Sequence, residues 1–248
     1  MKPNITSRLL RNIKRLRMLF FGGFSLRGAR AEMRAMRVSY SQFGEDLVVC
    51  SHFGKAAGLF IDVGAYHPFK LSNTKLLSSL GWRGVNIDCD PEKVKRFETL
   101  RPDDYNVCAA VSDAAKEMVW LDYREGTTDR LVARGERNLI SAQGEKPLSK
   151  TRVKTMTLTE ILDASPYREK HFHYLNIDCE GYDLAVLQGL DFQRYAPDLI
   201  TIEALSDTAH AKLTRFLEPR GYRLTDIVRL TLFYKRYPAE KLATATSS

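Results

Sequence analysis

Short apolar runs recur along this 248-residue chain, and most of them end in or beside a carboxylate. A short apolar run bounded by turn residues is typical of a buried strand. Strands separated by helices are joined by parallel crossovers, so the pattern predicts an α/β fold with a doubly wound sheet. Asp90 and Thr157 are predicted to cap two of the helices. The predicted strands are 59–64, 84–88, 105–111, 172–177 and 199–203, with a closing pair at 222–225 and 231–235, and the predicted helices are 73–80, 91–100, 157–162, 182–187 and 207–217.

The net charge of +8 is concentrated at the amino terminus. Residues 1–37 hold ten of the 38 basic residues and one of the 30 acidic residues, which leaves the rest of the chain with one net negative charge. A domain that grips phosphate backbones usually carries a basic face of its own. The charge distribution therefore argues against nucleic acid as a partner.

Residues 1–37 are predicted to form a basic arm, separate from a domain over residues 38–248. Apolar residues recur at helical spacing from Ile5 to Phe20, while basic residues fall largely on the other side. A helix of this kind can lie on an anionic membrane surface. A helix packed on the domain, an unstructured basic tail and a secretory signal remain alternatives, although no clear cleavage site follows.

The cysteines and the hydropathy bear on location. The four cysteines form neither a CxxC pair nor a zinc-type cluster, and no apolar run approaches the ~18–20 residues of a membrane span. Reduced thiols in a soluble, cytoplasmic protein are the expectation.

The segment 123–150 interrupts the regular pattern. It is polar, charged and weakly periodic, and it is long for a connection in a compact domain. Such an insertion is often an active-site lid, although a disordered surface loop is an equal alternative. Tyr123 and Arg130, with Arg124 and Arg134 nearby, are candidates to bind the hydroxyls or acidic groups of an acceptor.

The ends of the first two strands indicate a nucleoside ligand. The first strand ends at Asp62 and Gly64, where a glycine lets a ligand approach the backbone, and the second ends at Asp88, which could accept hydrogen bonds from ribose hydroxyls. Neither a G-x-G-x-x-G turn nor a phosphate loop is present. The pattern favours S-adenosylmethionine over a dinucleotide, and a nicotinamide-dependent oxidoreductase is the weaker alternative. Gly64 could instead serve only a tight turn, and Asp88 could serve helix capping.

Three further carboxylates follow later strands. If the strands are ordered 3-2-1-4-5, Asp178, Glu180 and Glu203 lie beside the end of the first strand. A hydroxyl acceptor must lose a proton, and a carboxylate or an imidazole can take it, which makes Asp178, Glu180 and His67 the candidate bases. Clustered acids could alternatively hold a divalent metal ion that acidifies the hydroxyl. The alternative is a purely structural role, in which Glu180 or Asp183 caps the following helix.

Together these segments resemble the FkbM family of S-adenosylmethionine-dependent methyltransferases over about residues 40–205. The matching segments are SQFGED (41–46), FIDVGA (60–65), SNT (72–74), GWRG (81–84), IDCDP (87–91), AVS (110–112), DCEG (178–181), VLQGL (186–190) and IE (202–203).

The resemblance implies a fold and a set of roles. The fold is a Rossmann-like, class I methyltransferase sheet of seven strands with helices on both faces, closed by a reversed hairpin. The cofactor would contact Gln42 and Glu45 at its methionine end, Asp62, Gly64 and Ala65 at the first loop, Asp88 at the ribose, and Asp178 at the reaction centre together with Glu180. The chain departs from the family in having Asp88 where many members have Glu, and Tyr66-His67 in place of a further glycine.

The family is known for O-methylation of sugars and natural products in bacteria, including surface polysaccharides, macrolides and nodulation factors. The chain is similar in size to the fucose-methylating enzymes of nodulation-factor synthesis. The expected activity is methylation of a sugar hydroxyl in a glycan or lipo-oligosaccharide, with Glu203, Tyr123 and Arg130 contacting the acceptor and the arm holding the enzyme near a lipid-linked glycan. Methylation of a polyketide or another natural product is the alternative.

Overall fold

The computed structural model describes residues 39–54, 56–123, 126, 128–136 and 144–237. The predicted arm and its amphipathic helix lie outside these residues, as does Arg124. Within the described ranges, no helix is both long and apolar enough to cross a membrane.

The described chain contains eleven strands and six α-helices. The strands are β1 (Leu59–Val63), β2 (Arg83–Asp88), β3 (Tyr105–Cys108), β4 (Ala110–Val111), β5 (Glu117–Asp122), β6 (Arg130–Ala133), β7 (Ser149–Met156), β8 (Tyr174–Ile177), β9 (Leu199–Glu203), β10 (Tyr222–Val228) and β11 (Thr231–Arg236). The helices are α1 (Glu45–Phe53), α2 (Lys75–Ser79), α3 (Pro91–Leu100), α4 (Leu158–Ala164), α5 (Asp183–Gln188) and α6 (Asp207–Leu217).

Seven strands form the main sheet, in the order β3-β2-β1-β8-β9-β11-β10. The first five are parallel, while β11 runs antiparallel to both of its neighbours. The order reverses beside β1, and the carboxyl ends of β1, β2, β8 and β9 lie along one edge. The predicted class I methyltransferase architecture is thereby confirmed.

Helices cover both faces of this sheet because successive side chains of a buried strand point to opposite faces. Phe60 packs in a cluster with Val49 of α1 and Leu77 of α2. Its neighbour Ile61 packs in a larger cluster that contains residues of α4, α5 and α6, including Leu158, Val186 and Leu213. The near-continuous apolar strands are thus explained by burial on two sides.

Both predicted helix caps are present. The Asp90 carboxylate accepts a hydrogen bond from the backbone N–H of Glu92 at 2.8 Å, with Pro91 in the first turn. Thr157 and Glu160 form a reciprocal capping box at the start of α4. These caps fix where α3 and α4 begin and therefore where the loops beside the sheet edge end.

A second, four-stranded sheet in the order β4-β7-β5-β6 was not anticipated. The segment 123–150, predicted to be a lid or a loop, contains β6 and the start of β7. The predicted third strand, 105–111, is divided: β3 pairs with β2, whereas β4 pairs with β7. The division occurs at Ala109, whose N–H donates to the carbonyl of Asp88. The structure therefore corrects the prediction of one continuous strand at 105–111, and it places parts of two strands within the described residues of the segment 123–150.

Candidate active site

A cleft of about 1090 Å³ opens at the carboxyl ends of β1, β2, β8 and β9. This is the position at which open α/β sheets bind ligands, because the strand order reverses there. The second sheet supplies one wall, and the β10–β11 turn supplies part of the opposite one. Carboxyl groups lie at both ends of the cleft, in two different environments.

At the first end, Asp88 terminates β2 with its carboxylate buried. One oxygen accepts the backbone N–H of Tyr66 at 3.0 Å, and the other accepts that of Asp90 at 2.9 Å. Burial raises the pKa of Asp88, while the Lys93 ammonium, 3.9 Å from Oδ1, opposes that rise. An ionised carboxylate has about four lone-pair sites, so Asp88 can still accept two neighbouring hydroxyls.

The turn after β1 is shaped by backbone packing. Gly64 has φ +77°, and a Cβ there would lie 1.8 Å from the Asp178 carbonyl oxygen at the end of β8. The glycine is thus required by the close approach of two strand ends, which the ligand-approach prediction did not foresee. Gly64 and Ala65 both line the cleft.

Asp62 lies in β1 and belongs to a polar row that crosses the sheet. Its two oxygens accept hydrogen bonds from the Thr74 hydroxyl at 2.6 Å and the Asn176 amide at 2.9 Å. Asn176 in turn accepts the Thr201 hydroxyl at 2.8 Å. Asp62 lines the cleft as predicted, and its two hydrogen bonds tie β1 to Thr74 and to Asn176 of β8.

The segment before α1 reaches the same cleft. Gln42 and Glu45 both line it, and a Glu45 oxygen accepts the backbone N–H of Phe43 at 2.8 Å. Asp46 fixes this segment by accepting hydrogen bonds from Ser39, Ser41 and the backbone of Tyr40. The predicted motif is therefore placed at the cleft.

At the second end, Asp178, Glu180 and Glu203 come together with carboxylate oxygens within 4.8 Å of one another. Asp178 is exposed to the cleft. Its carboxyl group is joined to that of Glu203 by a hydrogen bond, in which either group can be the donor. Among the described residues, Oε2 of Glu203 is buried and has no hydrogen-bond partner. The convergence predicted from the strand order is confirmed as a geometric arrangement.

Crowding of these acids favours their protonated forms. Burial, then the nearby Asp183 carboxylate, raises the pKa of Glu180 to about 7, although Arg130 opposes the rise. Burial and then Glu180 raise the pKa of Glu203 to about 7. Although the Asp178 side chain can be reached from the cleft, its enclosure by the surrounding protein and then Glu203 raise its pKa well above the usual range. At neutral pH the cluster can therefore accept or release a proton at little cost.

The loop that carries Asp178 and Glu180 is fixed by hydrogen bonds to the Asp183 side chain. Asp183 accepts the backbone N–H groups of Cys179 at 3.0 Å and Gly181 at 2.9 Å. Glu180 adopts a left-handed backbone with φ +49°, a conformation that costs roughly 1–3 kcal/mol for a non-glycine residue. Asp183 thus holds a strained loop that presents Glu180. The alternative that Glu180 or Asp183 caps α5 is wrong, because α5 begins after Tyr182 with no side-chain capping hydrogen bond.

Two predicted residues lie outside the cleft lining. His67 uses Nδ1 to accept the backbone N–H groups of Phe69 at 3.0 Å and Lys70 at 3.1 Å, which makes it part of a local turn. Tyr123 is buried against Leu121 and Val132 in the second sheet. Arg130 of β6 does line the cleft, near Glu180. The structure corrects the placement of His67 and Tyr123 and leaves Arg130 in position.

Sequence reasoning missed Lys93 and Asp129, which pair at 2.8 Å beside Asp88. It also missed four apolar side chains that line the cleft while remaining about half exposed, here called the apolar rim: Phe43, Leu71, Leu205 and Leu230. Exposed apolar residues that gather in one groove mark a binding surface. No local sequence signal joins them, since they come from four separate segments.

The donor groups fit S-adenosylmethionine. Among the described residues that line the cleft, seven are acidic and three are basic. One of those bases, Lys93, is already paired with Asp129. An acidic cleft suits a cationic sulfonium nucleoside better than a pyrophosphate, and Asp88 suits a ribose diol. The oxygen atoms of Asp178, Glu180 and Glu203 would also suit a hard divalent cation such as Mg²⁺.

A family sequence model for the FkbM methyltransferase domain matches residues 62–224. No protein of curated function matches the chain. Similar solved structures include one from Pyrococcus horikoshii, described as a "putative RNA methyltransferase" (TM-score 0.40, 10% identity, 79% of this chain and 84% of that chain). A precorrin-6y C5,15-methyltransferase from Geobacter metallireducens has TM-score 0.40 and 15% identity, over 76% of this chain and 85% of that chain. Similarity at this level says nothing about the acceptor.

Proposed function

The chain belongs to the FkbM methyltransferase family, and we propose that it is an O-methyltransferase for a sugar hydroxyl in a bacterial glycan or lipo-oligosaccharide. The family implies S-adenosylmethionine as the methyl donor. The observation that carries the proposal is the two-ended cleft, with the Asp88 carboxylate at one end and the crowded carboxyl groups of Asp178, Glu180 and Glu203 at the other.

The donor supplies an electrophilic methyl group on a sulfonium. The chain's contribution at that end is to bind and orient the nucleoside, because an in-line displacement depends on alignment. Asp88 binds the ribose hydroxyls, and the Tyr66 and Asp90 backbone N–H groups hold its carboxylate in place. Glu45 and Gln42 line the cleft where the resemblance places the methionine end.

At the acceptor end, Asp178 or Glu180 removes the hydroxyl proton. A sugar hydroxyl is a weak nucleophile, and a base with a pKa near 7 can accept its proton and return it to water. Glu203 shares a hydrogen bond with Asp178, so the pair can retain one proton while Glu180 accepts another. Arg130 lies near Glu180 and favours its ionised form.

A divalent cation on the same three carboxylates is the second route to an activated hydroxyl. The two routes differ in their response to a chelator. Turnover that persists in excess EDTA supports the carboxylate base. Turnover that stops, and returns with Mg²⁺ or Mn²⁺, supports the metal.

The apolar rim supports an acceptor that carries apolar atoms beside its hydroxyl. Phe43 and Leu230 are 50% and 49% exposed, and they lie on different segments around the same opening. A lipo-oligosaccharide meets this requirement through its lipid. A polyketide hydroxyl meets it as well and is the second candidate. The basic arm, through contact with an anionic membrane, would bring a cytoplasmic enzyme close to a lipid-linked acceptor.

The test uses the purified full chain, S-adenosylmethionine and two glycosides that differ only in an octyl or a methyl aglycone. We expect a mass increase of one methyl group on the sugar, with higher kcat/KM for the octyl glycoside. Asp88→Ala, assayed below saturation with S-adenosylmethionine, serves as the control with weakened donor binding. No methylation of any glycoside, with methylation of a macrolide, would replace the sugar acceptor by the natural-product one.

A further inference from the structure

Lys93 of α3 lies almost fully buried beside the cofactor end of the cleft. Its ammonium donates to the Asp129 carboxylate at 2.8 Å and to the Gly126 carbonyl at 2.7 Å. It also lies 3.9 Å from Asp88 and 5.2 Å from the centre of the Tyr66 ring. One side chain thus touches the β2 end, the β1 turn and the second sheet.

Through Asp129, the Lys93 side chain is also connected to the backbone of the second sheet. Asp129 uses its other oxygen to accept the backbone N–H of Tyr123 at 2.7 Å, which fixes the end of β5. Gly126 and Asp129 line the cleft, as Asp88 and Lys93 do. The wall from the second sheet is therefore joined to the main sheet through a buried ammonium.

The groups around Asp88 determine how much the Lys93 ammonium contributes to its charge state. Among the described residues, the titratable groups around Asp88 other than Lys93 are acids, thiols and the Tyr66 phenol. They are Asp90, Cys89, Cys108 and Cys179, with Asp129 on the far side of the ammonium and Asp122 and Glu180 further along the same wall. Burial lowers the pKa of Lys93, but Asp88 and Asp129 outweigh that effect and raise it overall. The ammonium is thus the charged form, and it compensates two carboxylates.

We infer that Lys93 is a cofactor-positioning residue, which keeps Asp88 available as an anion for the ribose hydroxyls and holds Gly126 and Asp129 against the cofactor end of the cleft. This inference rests on the proposed function, since it takes S-adenosylmethionine as the ligand. A purely structural ion pair would share the same contacts. The two roles differ in what happens to ligand affinity as the pH changes.

The experiment measures the dissociation constant of S-adenosylmethionine between pH 6 and pH 9 for the full chain and its variants. In Lys93→Met, Asp88 loses its compensating cation, so protonation should weaken binding at higher pH than in the wild type. We expect affinity at pH 6.5 to fall about tenfold further below its pH 9 value than it does in the wild type. In Asp129→Asn, Lys93 still faces Asp88, so affinity falls with no upward shift of the pH profile.

The double variant Lys93→Met/Asp129→Asn separates folding from positioning. Removing both partners avoids an unpaired buried carboxylate at Asp129, so this protein should fold even if Lys93→Met does not. It should keep the upward-shifted pH profile of Lys93→Met. The matched control is Lys116→Met, which breaks an exposed pair with Asp113 and should leave the affinity unchanged at every pH.

Folded variants with wild-type pH profiles would overturn the inference and leave Lys93 as a structural residue. A folded wild-type protein that binds no S-adenosylmethionine at any pH would instead overturn the proposed function. The shifted profile in both Lys93 variants, and its absence in Asp129→Asn and Lys116→Met, is the result that supports the positioning role.

Discussion

The two ends of the cleft use the same functional group in opposite ways. At the cofactor end, the Asp88 carboxylate has two backbone N–H donors and an ammonium within 3.9 Å. At the acceptor end, three carboxyl groups lie within 4.8 Å of one another, and the Arg130 and Lys93 cations lower the pKa of only one of them, Glu180. Compensation limits the rise that burial causes in the pKa of Asp88, whereas crowding adds to the rise at the acceptor end.

Under the proposed function, this difference assigns donor binding to the Asp88 end and proton transfer to the other end. A group that must accept hydrogen bonds from neutral hydroxyls serves best when it stays charged. A group that must take up and release a proton serves best when its pKa lies near the working pH. The predictions below test the assignment of a role to each end of the cleft, beginning with the largest expected effect.

Replacing Glu180 or Asp178 should have the largest effect on turnover. Asp178→Asn and Glu180→Gln remove a candidate base, and the variant that loses the actual base should lose roughly 10²–10⁴-fold in kcat. Single-turnover rates with saturating donor measure this directly. Equal and small losses in both variants would contradict a base in this cluster.

Asp88→Ala should weaken donor binding by roughly 100-fold, because hydrogen bonds to a charged group contribute about 1.5–3 kcal/mol each. The turnover rate at saturating donor should change much less than the affinity. Calorimetric titration and a saturation curve provide the two numbers. A variant with unchanged affinity but low kcat would reverse the assignment of the two ends.

Glu203→Gln should stabilise the ligand-free protein at high pH. The folded pKa of Glu203, about 7, lies above its ordinary value of 4.5, so its protonated form stabilises the fold below pH 4.5. That stability is lost as the pH rises through 7. We expect the variant to gain about 1–2 kcal/mol in the free energy of unfolding at pH 8 and little at pH 4. A variant less stable than wild type at pH 8 would show that the folded protein stabilises the ionised form of Glu203, which would contradict the account.

His67→Asn should have the smallest effect. The Asn side-chain oxygen can replace Nδ1 as the acceptor for the Phe69 and Lys70 N–H groups, and His67 does not line the cleft. We expect kcat and donor affinity within about twofold of wild type, while His67→Ala lowers stability by roughly 1 kcal/mol. A large loss of kcat in a stable His67→Asn protein would restore it as a base.

Much of the main sheet could be predicted because its strands are buried on both faces and read as continuous apolar runs. Asp88, Asp178 and Glu203 could be identified for the same reason, since a carboxylate at the end of such a run is conspicuous. The second sheet could not, because β7 exposes most of its side chains and shows no apolar alternation. Lys93 looked like any lysine on an amphipathic helix, and only the fold brings Asp129 to it.

For His67 and Tyr123 the error was the reverse: they were predicted to act at the site, and the structure places them outside the cleft lining. Both are residue types that often act in sites, and both stand close in sequence to residues that line the cleft. The backbone turn engages His67, and the packing of the second sheet buries Tyr123. Proximity along the chain does not fix the direction of a side chain.

The most direct test is calorimetric titration of S-adenosylmethionine into the folded wild-type protein, Asp88→Ala and Glu180→Gln. The two-ended cleft predicts saturable binding to the wild type, roughly 100-fold weaker binding to Asp88→Ala and nearly unchanged binding to Glu180→Gln. Equal affinities for all three proteins, or no binding by the wild type, would contradict it.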